Sequence, residues 1–239
     1  MTSAADVKLF VQPFLARNED FVFQRRELIR LPIRHVMTGF VMDRTSSVTT
    51  TRPNWFAAIR FGPPPWFDGG IGGLIDSAAG NVDDASYPTR LLAELERTTT
   101  DILDKVGSIQ GILDYPWVPI FGSGIRPQTK AILLAALGRF AEAEVILAEA
   151  VSLDRTMIDG RRRQMPEFFR TGSKRWQRMT AECDQLEERL KHLEELLVPL
   201  RLREPAAIGE VLHRWEGLST KARKVERWWQ PSPFPFERK

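Results

Sequence analysis

The 239-residue chain is poor in the residues that most often carry chemistry: one cysteine, Cys183, two tyrosines and three histidines. A single cysteine cannot close an internal disulfide or supply a cysteine-based zinc site, so the fold has to stand on its apolar core. No stretch approaches the roughly 20 unbroken apolar residues that a membrane span requires. The opening MTSAADVKLF carries an early acid and no long apolar block, so it does not read as a secretion signal. With a lone thiol, this leads to the expectation of a soluble protein of a reducing, cytoplasmic compartment, with no membrane association. Catalytic signatures are absent too. There is no G-x-S-x-G elbow, and His35, His192 and His213 never stand four residues apart. The acidic pairs Asp83/Asp84 and Glu187/Glu188 are sequence neighbours, which regular structure points apart. No metal and no cofactor is expected, and the reading leans away from an enzyme.

Apolar residues make up 43% and charged residues 27%, enough to bury a core and too apolar for a disordered tail. The net charge is only +3, yet residues 155–239 hold 19 Lys/Arg against 13 Asp/Glu, leaving the first 154 residues net acidic. A basic C-terminal third can attract phosphate polymers by releasing counterions, or can simply be a solvated helix surface.

Val7, Phe10, Val11 and Phe14 predict a short N-terminal helix that Pro13 should kink or end. Ile29, Leu31 and Ile33 alternate with Arg30, Pro32 and Arg34, a strand signature at a sheet edge or bulge because Pro32 lacks a donor. Thr45–Thr51 reads as a turn and WFAAIRF (55–61) as a further strand. Gly62–Asp84, with GPPP, DGGIGG and SAAGN, reads as loop. Tyr87–Ile109 returns to helical spacing, and a Pro- and Gly-containing connector follows over 114–127. The expected class is α+β: a small antiparallel N-terminal sheet with helices (1–113), then an all-helical C-terminal domain (128–239) containing an antiparallel coiled-coil-like hairpin.

Residues 128–154, QTKAILLAALGRFAEAEVILAEAVSLD, place Ala131 and Leu134 in one helix, Gly138 and Phe140 at a turn, and Ala143, Leu147 and Ala150 in a second. That pattern resembles a single tetratricopeptide repeat. The resemblance implies two antiparallel helices brought close by alanines, with Gly138 ending the first in the left-handed conformation. Arg155 stands where the repeat often has proline. No second copy occurs at the expected period, so the repeat array's peptide groove is not implied.

Beyond it, Trp176, Met179, Cys183, Leu186, Leu190, Leu193 and Leu197 alternate at spacings of 3 and 4. Ile208, Val211, Trp215, Leu218, Ala222, Val225 and Trp229 repeat the alternation after Pro199 and Pro205. Two such seams predict arms on the order of 35 Å paired antiparallel with each other, with a tip at Leu200–Glu204. They either project or fold back into a helical bundle.

Candidate sites are few. Arg26, Arg30 and Arg34 would share one strand face and could hold a carboxylate or phosphate, or merely pair with acids. DGGIGG lacks the lysine of a P-loop, although Trp66 and Phe67 beside it offer aromatic surface. The tail VERWWQPSPFPFERK either straps onto the body or serves as a linear motif. Trp215, Trp228, Trp229, Phe234 and Phe236 are the candidate partner-binding residues. The leading expectation is a protein-interaction factor (an adaptor, inhibitor or immunity-type partner) that binds another protein or a second copy of itself. The alternative is a nucleic-acid-binding protein using residues 155–178 and 214–227, with Trp176, Trp228 and Trp229 for stacking. An enzyme with a site near the arginine strand and glycine loop is the remaining class.

Overall fold

The computed structural model describes residues 3–44, 49–64, 69–116 and 125–238. The expected turn at 45–51, the 114–127 connector and the pair Trp66/Phe67 therefore lie wholly or largely outside the described residues. The fold is α+β, an antiparallel sheet followed by a helical C-terminal half. It comprises two compact units that are not separated by one cut in the sequence. The first takes residues 1–60, 68–118 and 223–232, and the second 61–67, 119–222 and 233–239.

In the first unit, helix α1 (Ala4–Arg17) begins at Ser3, whose side chain accepts from Asp6 N while the Asp6 carboxylate accepts from Ser3 N. It continues through Pro13, where the sequence predicts a kink or an end, and so does not end there. Pro13 lies on the exposed side, and the carbonyl its ring frees belongs to the exposed Leu9, where water can serve it.

Strands β1 (Phe21–Gln24), β2 (Glu27–Arg30), β3 (Val36–Arg44), β4 (Thr50–Ile59) and β5 (Gly69–Leu74) pair antiparallel in that order, and β6 (Gly80–Asn81) adds to β4. The glycine-rich segment expected to be loop thus provides a strand: Gly70 opposes Ala58 and Gly72 opposes Phe56. Helices α2 (Tyr87–Thr98), α3 (Asp104–Val106) and α4 (Ile109–Asp114) follow, with a π-helical turn at Thr99–Leu103.

Each face of this sheet is apolar. On one, Phe14 of α1 meets Phe21 and Phe40 edge-on, with ring centroids 5.0 and 5.8 Å apart, and Phe10 meets Tyr87 of α2. On the other, Ile29, Ile33 and Met37 pack against Val225, with Trp228 and Trp229 alongside. The chain at 225–229 is pinned there as a parallel bridge. Ile33 N donates to Trp228 O at 3.2 Å, and Gln230 N donates to Ile33 O at 2.8 Å.

The second unit holds helices α5 (Pro127–Ala136), α6 (Phe140–Phe168), α7 (Lys174–Leu202) and α8 (Pro205–Arg223), the last through Ala222. α5 and α6 form the expected short hairpin, with Ala131, Leu134, Ala143, Leu147 and Ala150 buried. Gly138 turns the chain at φ +79°. The heptad seam of α7 is also real, with Cys183, Leu190, Leu193 and Leu197 buried. Its closest backbone partner, however, is α6 and not α8.

Cross-links fix the register of that pair. As the α6 residue advances from Glu144 to Arg155 to Arg162, its partner retreats from Arg203 to Glu194 to Glu187 and Asp184. The turn of the long hairpin therefore lies at Phe169–Ser173, not at Leu200–Glu204, and each of its 29-residue helices is about 42 Å long. Pro199 does not stop α7, which costs one backbone hydrogen bond while Leu196, Leu197 and Leu200 stay buried around it. The second predicted seam is shorter than expected. Leu218 is 44% exposed, and Lys224 at φ +59° ends α8 before Val225 and Trp229, which belong to the sheet unit.

Two glycines test this geometry. Gly138 is left-handed, and a Cβ there would stand 2.9 Å from Phe236 Cβ. Gly138→Ala should therefore lose about 1–2 kcal/mol from strain alone in urea denaturation. Gly160, inside α6 with nothing within 4 Å of an added Cβ, should behave oppositely. Gly160→Ala is expected to gain up to about 1 kcal/mol in the same measurement.

Candidate functional site

The three strand arginines are not brought together. Arg26 lies in the tight turn between β1 and β2, next to Arg25 at φ +59°, and its Nε donates to Met42 O at 2.7 Å. Arg30 sits at the end of β2, where its guanidinium is held by Asp20 at 2.7 Å and Asp104 at 2.5 Å. Burial pulls its pKa down, but the hydrogen bonds and charges of Asp104 and Asp20 outweigh that and raise it. Arg34 follows in an irregular, exposed bend. The expected row of three guanidinium groups is corrected because β2 ends at Arg30, before Arg34, and starts after Arg26. The paired-acid reading describes Arg30.

Nor does the glycine strand converge on them. A groove of about 320 Å³ is lined by Gly69, Gly70, Ala58, Phe56 and the partly buried pair Glu27–Arg223, whose charged atoms are 3.6 Å apart; none of the three arginines lines it. A second concavity of about 530 Å³ is lined by Asp101, Lys105, Asp114 and Tyr115, again without them. Among the described residues, no group of three or more His, Cys, Asp or Glu is placed to hold a metal ion. No described helix is long and apolar enough to cross a membrane.

The aromatic tail is a strap. Trp215 and Phe234 are fully buried, so the expectation that these two face a partner is corrected. In the second unit, Phe234 lies edge-on to Phe61 at 5.2 Å and tilted against His213 at 4.7 Å, while Phe236 meets Phe140 at 5.2 Å. Glu237 fastens this segment by accepting from Phe234 N at 2.6 Å and bonding His213 Nε2 at 2.9 Å. In the first unit, Trp228 and Trp229 are half-buried on the sheet. His192 is served separately by Glu188 and Glu195.

What remains exposed and chemically distinctive is the far end of the α6–α7 hairpin. α5 reaches along α6 about as far as Asp154, where Gln128 Nε2 donates to the carboxylate at 2.9 Å. Past that point α6 buries only Ile158 and Met165, one residue per heptad, against the α7 seam. This is a two-helix arm, water-facing on its other sides.

Its charge is lopsided. Residues 155–178 carry eight Lys/Arg and two Asp/Glu, whereas 179–239 are balanced. Arg155, Arg162 and Arg178 have carboxylate partners. Arg161, Arg163, Arg170, Lys174 and Arg175 are exposed, and none has a carboxylate within 4 Å among the described residues. Arg175 stacks over the Phe169 ring at 5.5 Å, and Phe168 is 70% exposed. Gly172 at φ +79° makes the turn, and Ser173 caps α7 by accepting from Trp176 N. The basic character of residues 155–178 is legible in the sequence. The exposure of Phe168 is not, because an apolar residue next to Phe169 and near the heptad row looks like core in the sequence.

No family model matches this chain, and neither curated proteins nor solved structures contain a match.

Two measurements check the site's two supports. Phe234→Ala should cost about 3–5 kcal/mol in urea denaturation, since a fully enclosed ring is lost. Cys183 is buried in the arm seam and should resist thiol reagents in the native protein. Met165→Ala should speed its labelling more than tenfold by loosening the arm, without a matching loss of the sheet's signal.

Proposed function

We propose that this chain is a non-catalytic binding protein that grips nucleic acid with the end of its α6–α7 arm. The observation that carries the reading is the concentration of five exposed cations without carboxylate partners around one turn, together with an exposed aromatic ring. Surface cations in folded proteins are usually interleaved with acids, as they are over 179–239. Leaving five uncompensated on a narrow arm raises the local potential, and a phosphate polymer is the partner that relieves it, by releasing condensed counterions.

The tetratricopeptide-like hairpin α5–α6 is, in this reading, the foot of the arm and not a peptide groove. The adaptor reading draws on a helical hairpin and on aromatic surface, and of its aromatic residues Trp215 and Phe234 are enclosed. An anionic membrane would also attract the cations, but an interfacial helix needs a broad apolar face. Here the exposed large hydrophobic residue at the turn is Phe168.

Fluorescence anisotropy with labelled oligonucleotides tests the proposal. Binding should weaken steeply with salt, with a log–log slope of about −3 to −4 for a single strand if all five cations engage. The triple change Arg161→Glu, Arg163→Glu, Arg175→Glu should abolish binding and leave the thermal melt within a few degrees, because all three side chains are exposed. Salt-independent binding, or binding that survives the triple change, overturns the reading.

A further inference from the structure

We infer that the arm selects single-stranded over duplex nucleic acid, by stacking an unpaired base on Phe168. The inference rests on the nucleic-acid reading above and names the form of ligand that the same surface takes.

The geometry is a short stripe on one helix. Arg161, Gln164 and Phe168 are spaced 3 and 4 residues apart on α6, so they lie along one face, and all three are exposed. Arg161 and Phe168 are one heptad apart, about 10 Å along the axis. Gln164 lies between them with an amide that can both donate to and accept from a base edge. On the far side of the ring the chain turns, and Arg170, Lys174 and Arg175 follow. A flat ring is therefore bracketed along the chain by cations, with one hydrogen-bonding side chain beside it.

Exposure of that ring is unfavourable in the free protein. Phe168 is 70% accessible, while the neighbouring Phe169 is half-buried beneath the Arg175 guanidinium. A duplex gives such a ring nothing to do, because its bases are stacked on one another and only phosphates and groove edges face outward. An unpaired base presents its face, and base–aromatic stacking tolerates any sequence because every base has one. Cations on both sides of the ring then follow the phosphates that flank the stacked base. The cations alone account for binding to any phosphate polymer; Phe168 is the feature that separates the two forms.

The test uses the full chain with two labelled probes at one salt concentration, an oligothymidine single strand and a blunt duplex of equal phosphate number. The single strand should bind at least about tenfold more tightly. Phe168→Ala should reduce single-strand affinity by about tenfold and leave duplex affinity within twofold. Phe168→Trp, which keeps a stacking face, should retain or improve single-strand affinity. Tryptophan fluorescence in that variant should be quenched on binding, relative to the parent chain.

Equal affinity for both probes, or a Phe168→Ala chain that binds the single strand like the parent, overturns the inference. The nucleic-acid reading survives that outcome if the triple arginine change still abolishes binding. Failure to bind either probe at low salt removes both, and binding to anionic phosphatidylserine vesicles in its place assigns the cations to a membrane.

Discussion

The contact on which the second unit depends is the seam between α6 and α7. In its lower half the seam is one layer of a bundle, where Leu190, Leu193, Leu196, Leu197 and Leu200 are buried close together. In its upper half it stands alone, with Ile158 and Met165 the buried residues that α6 contributes. A two-stranded antiparallel pair is marginal unless its register is fixed. Here the fixing comes from ion pairs stepping along the flanks, Arg155 with Glu194 and Arg162 with Asp184 and Glu187. Each such exposed pair contributes little energy. Together they disfavour a slip of one turn, which would move Arg155 from Glu194 to Leu190 or Val198, and so they hold the cations of the turn in place.

The sequence was legible wherever a pattern stayed within one element. The α+β class and the heptad row of α7 follow from local spacing, and the α5–α6 hairpin with its left-handed Gly138 is what the repeat-like pattern at 128–154 implies. The partner of α7 was not legible. The residues that α6 buries beyond Ala150 are Val151, Ile158 and Met165, one per heptad, too sparse to show a period beside the polar residues between them. The α8 segment displays a cleaner row in sequence, yet Lys224 adopts a left-handed turn that cuts the row in two. Likewise GGIGGL reads as loop by composition. It is a strand because Phe56 and its neighbours on β4 supply the apolar contact and the hydrogen-bonding edge that glycines lack. Both failures have one cause: pairing between distant segments overrides local preference.

The aromatic residues sort by what each could reach. Trp215 and Phe234 are fully enclosed, and Trp228, Trp229 and Phe236 lie half-buried against their own units. Glu237 closes the tail with one carboxylate serving both a backbone N–H and a histidine ring. Composition shows such a tail as a density of rings and prolines. It does not show whether those rings meet another molecule or their own chain. The charges are sorted the other way. Arg30, Arg90, Arg97, Arg139, Arg203 and Arg214 each have an acid within reach, and Arg170 and Arg175, on either side of the turn, do not.

The strap over the sheet has a consequence for biosynthesis. Its contacts join residues about 200 positions apart, as between Gln24 and Lys224 or His35 and Ser232. Ribosomes add about 5–20 residues per second, so Ile29, Ile33 and Met37 emerge some 10–40 s before the segment that covers them. During that interval one apolar side of a nascent sheet stands open, and a chaperone or a neighbouring nascent chain could occupy it first. The protein's yield in a cell is then set by a race for that side.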